Sequence, residues 1–100
     1  MVLEAVTLHI RPGQGDEFET AFKQAQPILG SMHGCISHEL QRCLEVKDQY
    51  LLLVRWRTIE DHTVGFRAHP DFAEWKRLLH DFYDPPPVIH HYAPIADSGV

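Results

Sequence analysis

The sequence predicts an α+β fold in which a four-stranded antiparallel sheet carries both of its helices on one face. Alternating and helical apolar patterns follow one another in the order β-α-β-β-α-β, which is the order of the ferredoxin-like fold. The chain has 100 residues, the size of one ordinary domain. No repeat, linker or low-complexity tract divides it, so we treat residues 1–100 as a single domain.

The spacing of apolar residues predicts three elements in the first half of the chain. Residues 2–10 are rich in β-branched and apolar side chains and precede a Pro-Gly pair, as a strand before a turn does. Asp16 can cap the helix that follows. The apolar residues of this helix share one face: Phe18, Phe22, Ala25 and Leu29. Residues 32–43 alternate with period two and predict the second strand.

The second half of the chain predicts two more strands and an interrupted helix between them. Residues 50–56 are apolar at nearly every position, which favours a strand covered on both faces. Thr58 and Asp61 have the spacing of a capping box that opens a helix. Pro70 interrupts this helix and can begin a second helical segment. Residues 88–95 predict the last strand.

The strand at residues 50–56 has apolar side chains on both faces, with Leu51 and Leu53 opposed to Leu52 and Val54. Because both helices cover the same face of the sheet, the other face needs a cover from outside the chain. A second copy is the simplest cover, so we expect a homodimer with the two sheets face to face, a dimeric α+β barrel. A different partner remains the alternative.

Composition excludes several classes of protein. A net charge of −5 argues against nucleic-acid binding, which needs a basic surface. The longest apolar run, residues 51–54, is far too short to span a membrane. The N-terminus lacks the basic region of a secretory signal, and Cys35 and Cys43 suit a reducing compartment. We therefore expect a cytoplasmic protein.

The histidines do not have the spacing of a metal site. His62 and His69 are separated by about 10.5 Å of rise on a straight helix, too far to share one ion. His90 and His91 are consecutive on a strand and point to opposite faces. We therefore expect no metal site.

His62 has two interpretations. In one it lies in the first turn of the second helix, faces a cavity beneath Trp56, and acts as a base, since its ordinary pKa is near neutrality. In the other it is a surface histidine beside Glu60 and Asp61. Trp56 shares a strand face with Leu52 and Val54, and it lines a pocket if that face is the one under the helices.

Four segments together resemble the antibiotic biosynthesis monooxygenase (ABM) family of dimeric α+β barrels. The segments are RPGQGDEFETAF, HGCISHEL, YLLLVRWRTIEDHTVGFRAHPDFAEW and VIHHY. The most diagnostic feature is the strand that ends in Trp56, followed by an acidic residue and His62. The family includes cofactor-free oxygenases of phenols and quinols, haem-degrading enzymes and isomerases of small carbonyl metabolites.

Departures from the haem-degrading members disfavour haem as a cofactor. Those members have Asn on the first strand, Trp on the second helix and an iron-binding His ten residues later. The corresponding residues here are Ala5, Phe66 and Lys76. A protonated lysine is a poor iron ligand.

The polyketide oxygenases of the family have Asn, Trp and Tyr where this chain has Leu52, Trp56 and His62. One of these three residues is kept, and one is replaced by another proton-active group. The resemblance implies a cofactor-independent monooxygenase that acts on a small aromatic phenol or quinol, with His62 as the proton acceptor and no flavin, haem or metal. We expect six residues to bind the substrate: Trp56, Phe66, Leu52, Val54, Thr7 and Phe72. In place of the missing Asn, Gln41, Thr7 or His38 would hold the substrate.

The alternative is a protein that is not an oxygenase. An isomerase of a small hydroxy-carbonyl, or a protein that binds a small metabolite in the same cavity, needs only a proton shuttle or none. In an isomerase, His62 together with Glu39 or His90 would suffice.

Overall fold

The computed structural model describes residues 1–98 and confirms the predicted α+β class and the β-α-β-β-α-β order. The strands are β1 (Val2–His9), β2 (Cys35–Arg42), β3 (Gln49–Trp56) and β4 (Val88–Tyr92). The helices are α1 (Gly15–Gly30) and α2 (Phe72–Leu79), with a π-helical segment (Asp61–Phe66) before α2 and a 3₁₀ turn (His80–Phe82) after it. All strand pairs are antiparallel, and the order across the sheet is β2-β3-β1-β4.

β1 and β4 each end earlier in the chain than predicted. β4 ends at Tyr92 rather than at residue 95 because Tyr92 pairs with Leu3, and β1 begins only one residue before Leu3. At its other end β1 stops at His9, and Ile10 forms only an isolated bridge to Tyr83. Strand length here is therefore set by the length of the pairing partner.

The start of α1 differs from the prediction that Asp16 caps it. The helix begins at Gly15, the preceding Gln14 makes no side-chain cap, and Asp16 lies within the first turn. Asp16 there still complements the positive end of the helix dipole. A larger residue at position 15 would be crowded, because a Cβ atom would lie 2.9 Å from both Asp48 Oδ1 and Tyr50 Oη.

The interrupted second helix begins with the predicted signal and breaks at the predicted proline, but its second segment begins at Phe72, two residues after Pro70. The backbone N–H of Asp61 donates to Thr58 Oγ1 at 3.2 Å, which is one half of the capping box. The break falls at Pro70, where the backbone N–H of Asp71 donates to His69 Nδ1 at 3.0 Å. The π-helical segment between these points was not predicted, because its i→i+5 hydrogen bonding has no distinctive residue pattern.

The core lies between the sheet and the helices, where the predicted apolar face of α1 is buried. On β3 the buried side chains are those at even positions: Tyr50, Leu52, Val54 and Trp56. Phe18 of α1 packs against Tyr50 with ring centroids 5.0 Å apart. The predicted common face of Leu52, Val54 and Trp56 is thus the face under the helices.

The opposite face of the sheet bears several apolar side chains that the described residues leave open. Leu51 is 37% exposed, Val88 62% and Tyr92 54%. Thr7, next to these residues on β1, is also exposed. Within residues 1–98, no helix has the length and apolar character needed to cross a membrane.

Candidate active site

A cavity of about 180 Å³ lies between the helix-facing side of the sheet and α2. Most of its walls are apolar: Val6, Leu29, Leu52, Val54, Phe66, Phe72, Trp75, Leu79 and Ile89. An apolar protein cavity of about 150 Å³ can hold benzene, so the volume suits a single aromatic ring. Two buried polar side chains, Glu4 and His62, also line it.

Glu4 is a buried carboxyl that is absent from the predicted site. Its side chain projects from β1 toward the helices, on the same face as Val6 and Leu8, and the residue is only 5% exposed. Acidic side chains are almost never fully buried without a partner. An acid at the core-facing parity of an apolar strand was therefore the signal available in the sequence.

The carboxyl of Glu4 has one hydrogen-bond donor and one close basic neighbour. Trp56 Nε1–H donates to Glu4 Oε1 at 2.9 Å. Glu4 Oε2 lies 3.5 Å from His62 Nε2. Burial raises the pKa of Glu4, while the hydrogen bond from Trp56 and the charge of Arg67 act in the opposite direction. Desolvation wins, so Glu4 holds its proton more tightly than an ordinary glutamate.

His62 is 3% exposed, which excludes the interpretation of a surface histidine beside Glu60 and Asp61. It lies in the π-helical segment together with Phe66, and both side chains are buried. Its ring stacks on Trp56, with centroids 5.5 Å apart and planes inclined by 23°. Single π-helical turns are frequent at functional sites.

Both ring nitrogens of His62 face other side chains of the protein. Nδ1 lies 2.8 Å from His91 Nε2, a hydrogen bond whose donor depends on the tautomers, and Nε2 faces Glu4. Burial, followed by the charge of Arg67 and the proximity of His91, lowers the pKa of His62 to about 4. At neutral pH the imidazole is therefore uncharged, and its contact with Glu4 is not an ion pair.

Burial disfavours the charged form of both groups, so it raises the pKa of Glu4 and lowers the pKa of His62. The series Glu4–His62–His91 links the cavity to β4, an edge strand of the sheet. Chemically, the arrangement is a buried acid–base pair with a second imidazole behind it.

Five of the seven predicted site residues line the cavity: His62, Leu52, Val54, Phe66 and Phe72. Trp56 does not line it but lies behind His62, where its indole holds Glu4. The prediction for Thr7 is wrong in its placement, since Thr7 is exposed on the opposite face of the sheet. Its odd position on β1 sets it apart from the helix-facing Val6 and Leu8.

The other polar residues that were expected to act in the site lie on different faces of the sheet. Glu39 and His90, the predicted partners of His62 in an isomerase, lie on the open face of the sheet, as does Gln41. The residues that do reach His62 are Glu4 and His91, which pair directly across β1 and β4. His38 faces the helices, but its Nε2 is buried with no hydrogen-bond partner among residues 1–98, and it does not line the cavity.

Tyr83 and three basic side chains complete the lining of the cavity, and the basic ones are Arg67, Lys76 and His80. All three are exposed, so they mark its outer end, whereas Glu4 and His62 mark its inner end. Among residues 1–98, no three His, Cys, Asp or Glu side chains are grouped to hold one metal ion.

Comparison with known proteins gives the fold and site a family context. The family model of the antibiotic biosynthesis monooxygenases (ABM) matches residues 1–78. The uncharacterized protein YczJ of Bacillus subtilis (strain 168) is 53% identical over 92 residues, which are 92% of this chain and 97% of that protein.

Solved structures agree with this match. A Bordetella bronchiseptica protein that carries the name antibiotic biosynthesis monooxygenase is 33% identical, with a TM-score of 0.90 over 95% of this chain and 97% of that one. SnoaB of Streptomyces nogalater, a cofactor-independent oxygenase, is 16% identical, with a TM-score of 0.84 over 97% of this chain and 95% of its own. At that identity the likeness to SnoaB concerns the fold alone.

Proposed function

The chain belongs to the antibiotic biosynthesis monooxygenase family, and on this basis we propose that it is a cofactor-independent monooxygenase of a small aromatic phenol or quinol. One observation carries the proposal. A buried carboxyl–imidazole pair, Glu4 and His62, faces an apolar cavity of about 180 Å³. This is an acid–base pair at the inner end of a mostly apolar space in which a phenolic ring fits.

The aromatic ring of the substrate binds between the sheet and α2. Leu52 and Val54 contact it from the sheet, and Phe66 and Phe72 contact it from the helical layer. Phe66 and Phe72 pack edge to face with centroids 5.0 Å apart, so an entering ring extends an existing aromatic cluster. The volume favours one ring over a polycyclic substrate.

His62 accepts the hydroxyl proton through Glu4. Both nitrogens of His62 already face protein groups, whereas a carboxylate oxygen has more than one lone pair and can accept from the substrate as well. The proton then passes from Glu4 to Nε2 of His62, and the proton on Nδ1 passes to His91. Imidazole can take up one proton while releasing another, because its two nitrogens are distinct.

Arg67 supplies the stabilisation that the base alone lacks. Moving a proton from a phenol of pKa about 10 to His62, whose pKa is about 4, costs about 8 kcal/mol. The positive charge of Arg67 acts on both Glu4 and His62, so it also acts on a phenolate formed beside them. A cation at this position offsets part of the cost by stabilising the anion.

The bound phenolate is electron-rich enough to pass one electron to dioxygen, which gives a phenoxyl radical and superoxide. The two radicals combine by forming a carbon–oxygen bond on the ring, and the resulting peroxide anion takes back the proton held by Glu4, His62 and His91. The resulting hydroperoxide loses water and leaves a quinone, so that one oxygen atom enters the product and the other leaves as water. The protein contributes deprotonation, orientation and exclusion of bulk water.

We further propose that the protein acts as a homodimer in which a second copy covers the open face of the sheet. Leu51, Val88 and Tyr92 are the apolar side chains exposed on that face. Exposed apolar patches on a domain of this size mark interaction surfaces. Burial of one sheet against another aligns them face to face.

A second function uses the same pair of residues. The buried Glu4 carboxyl and the His62 imidazole, 3.5 Å apart, also suit proton transfer between two carbon atoms of a small hydroxy-carbonyl, which is an isomerisation without oxygen. A protein that only binds such a metabolite would leave the pair unused. Oxygen consumption separates the oxygenase from both of these alternatives.

The test is oxygen uptake with a single-ring quinol under ¹⁸O₂, in the presence of a chelator and with no added flavin or haem. We expect uptake above the rate of spontaneous oxidation, with one labelled atom in each product molecule. The absence of protein-dependent uptake across a panel of single-ring phenols and quinols would contradict the oxygenase. Turnover of a hydroxy-carbonyl without uptake would favour the isomerase.

A further inference from the structure

We infer that the preferred substrate carries a carboxylate on its ring, held at the mouth of the cavity by Arg67 and Lys76 while the hydroxyl faces Glu4. This names the substrate class of the proposed reaction and rests on the proposed site. Four features of the described residues support it.

The first feature is the separation of charge along the cavity. Its inner end has an acid, Glu4, and its outer end has the exposed cations Arg67 and Lys76, with His80 beside them. A ligand with a hydroxyl at one end and an anion at the other matches this order in one direction only. In the reverse direction its anion would meet Glu4.

The second feature is that neither cation is engaged in an ion pair among the described residues. Within residues 1–98, neither Arg67 nor Lys76 forms an ion pair, whereas Arg77, the neighbour of Lys76 on α2, is paired with Glu74. A ligand carboxylate therefore need not displace an existing partner. Arginine presents a planar fork of donors that matches a carboxylate, and lysine adds a point charge.

The third feature is an outer cleft that continues the cavity. Six residues line it: Arg67, His69, Pro70, Phe72, Ala73 and Lys76. Arg67, Phe72 and Lys76 belong to both spaces, so they form the rim between them. Lys76 Nζ lies 5.8 Å from the centroid of the Phe72 ring, which places the ammonium next to an aromatic wall of the cavity.

The fourth feature is that the field of Arg67 reaches the inner end. Its charge lowers the pKa of Glu4 and of His62 without an ion-pair contact to either. The charge of Arg67 thus affects Glu4 and His62 at the inner end of the cavity, although Arg67 lies at its exposed end. A carboxylate bound near it would sit between the cationic rim and the apolar chamber.

The experiment compares the binding of 4-hydroxybenzoate with that of 4-cresol, a neutral phenol of similar size. Binding is measured under nitrogen by titration calorimetry, so that turnover does not contribute. We expect 4-hydroxybenzoate to bind about 10-fold tighter, because a charge-assisted hydrogen bond is worth about 1.5 kcal/mol. Raising the salt concentration should weaken the binding of the carboxylate but not of 4-cresol.

The variants are Arg67→Gln and Lys76→Gln, with Arg77→Gln as the matched control. Each removes one positive charge, but Arg77 does not line the cavity. The double variant at positions 67 and 76 should bind the two ligands equally well, while the control should keep the wild-type preference. Equal binding of the ligands by the wild type, or a preference that survives in the double variant, would overturn the inference.

This outcome can be told apart from failure of the oxygenase. A carboxylate preference that depends on Arg67 and Lys76, without oxygen uptake, supports the inference and contradicts the reaction. Oxygen uptake that is equally fast with 4-hydroxybenzoate and 4-cresol supports the reaction and overturns the inference.

Discussion

The indole N–H of Trp56 donates a hydrogen bond of 2.9 Å to the carboxyl of Glu4, joining residues that are 52 positions apart in the chain. The bond satisfies one oxygen of a buried acid, and the other oxygen lies 3.5 Å from Nε2 of His62. An acid in an apolar core is costly unless it is hydrogen-bonded. Trp56 therefore positions Glu4 for its contact with His62.

Replacing Trp56 by Phe should destabilise the protein and leave the cavity nearly intact. Glu4 Oε1 loses its donor while remaining buried, which costs about 1–3 kcal/mol. The pKa of Glu4 should rise further, because the lost hydrogen bond is one of the causes that lowers it. Urea unfolding at pH 7 and infrared titration of the carboxyl measure the two effects.

The matched control for this variant is Trp75→Phe, which alters a residue that lines the cavity. Binding of 4-cresol should weaken in Trp75→Phe and change little in Trp56→Phe. The opposite result would mean that Trp56 lines the cavity, as strand parity alone suggests.

Glu4→Gln should remove most oxygen uptake. A positioned acid–base group contributes about 10²- to 10⁴-fold, and glutamine can still accept from Trp56 but cannot take up a proton at neutral pH. Initial rates with a single-ring quinol measure the loss. Glu17→Gln, on the exposed surface of α1, is the control and should keep the wild-type rate. Full activity in Glu4→Gln would place the base elsewhere.

Replacing His62 by Gln should make the free energy of unfolding less dependent on pH between about 4 and 6.5. The pKa of His62 is about 4 in the folded protein and about 6.5 when unfolded, so between these values the unfolded state binds a proton that the folded state does not. The stability contributed by the neutral imidazole is present above pH 6.5 and is lost as the pH falls toward about 4. The slope approaches about 1.4 kcal/mol per pH unit.

Urea unfolding at pH 6.5 and pH 4.5 tests this, with both proteins at the same concentration. The wild type should lose about 2 kcal/mol more than His62→Gln over this range. Glu4 acts in the opposite sense, since its raised pKa gives stability that is present below 4.5 and is lost as the pH rises through that pKa. If the free energy of unfolding fell by the same amount in both proteins, the pKa of His62 would be the same in the folded and unfolded states.

His91→Phe should slow turnover by interrupting the proton path behind His62. Nδ1 of His62 loses its 2.8 Å partner, so the tautomer of its ring should also change. Oxygen uptake should fall about 10-fold or more, and ¹⁵N spectra of the histidine rings report the tautomer without relying on activity. His90→Phe is the control, because His90 faces away from His62 on the same strand. An unchanged ring spectrum in His91→Phe would contradict the path.

Leu51→Glu should weaken the proposed dimer. Light scattering of the wild type should give twice the chain mass of 11.5 kDa. A charge on the open face of β3 would be buried without a partner in a face-to-face dimer, which disfavours association. Val64→Glu, an exposed apolar position outside the sheet, should leave the mass unchanged. A wild type that remains monomeric at micromolar concentration would exclude the barrel.

The sequence by itself determined the strands, the two helices, their order and much of the cavity wall. Leu52 and Val54 share a face because side chains alternate along any strand, and the spacing of Phe18, Phe22, Ala25 and Leu29 is that of any helix. These periodicities are local, so they can be recognised in the sequence without knowledge of the fold. The resemblance to a family added His62 to this list.

Only the tertiary structure decided which side chains meet His62. Glu4 and His91 face it because β1 and β4 pair in one register, whereas a shift of one residue would bring His90 to that side instead. Because of the same packing, Trp56 does not line the cavity and Thr7 lies on the open face of the sheet. Register and the choice of buried face depend on contacts between distant strands, and β3, apolar on both faces, has no local pattern that could decide them.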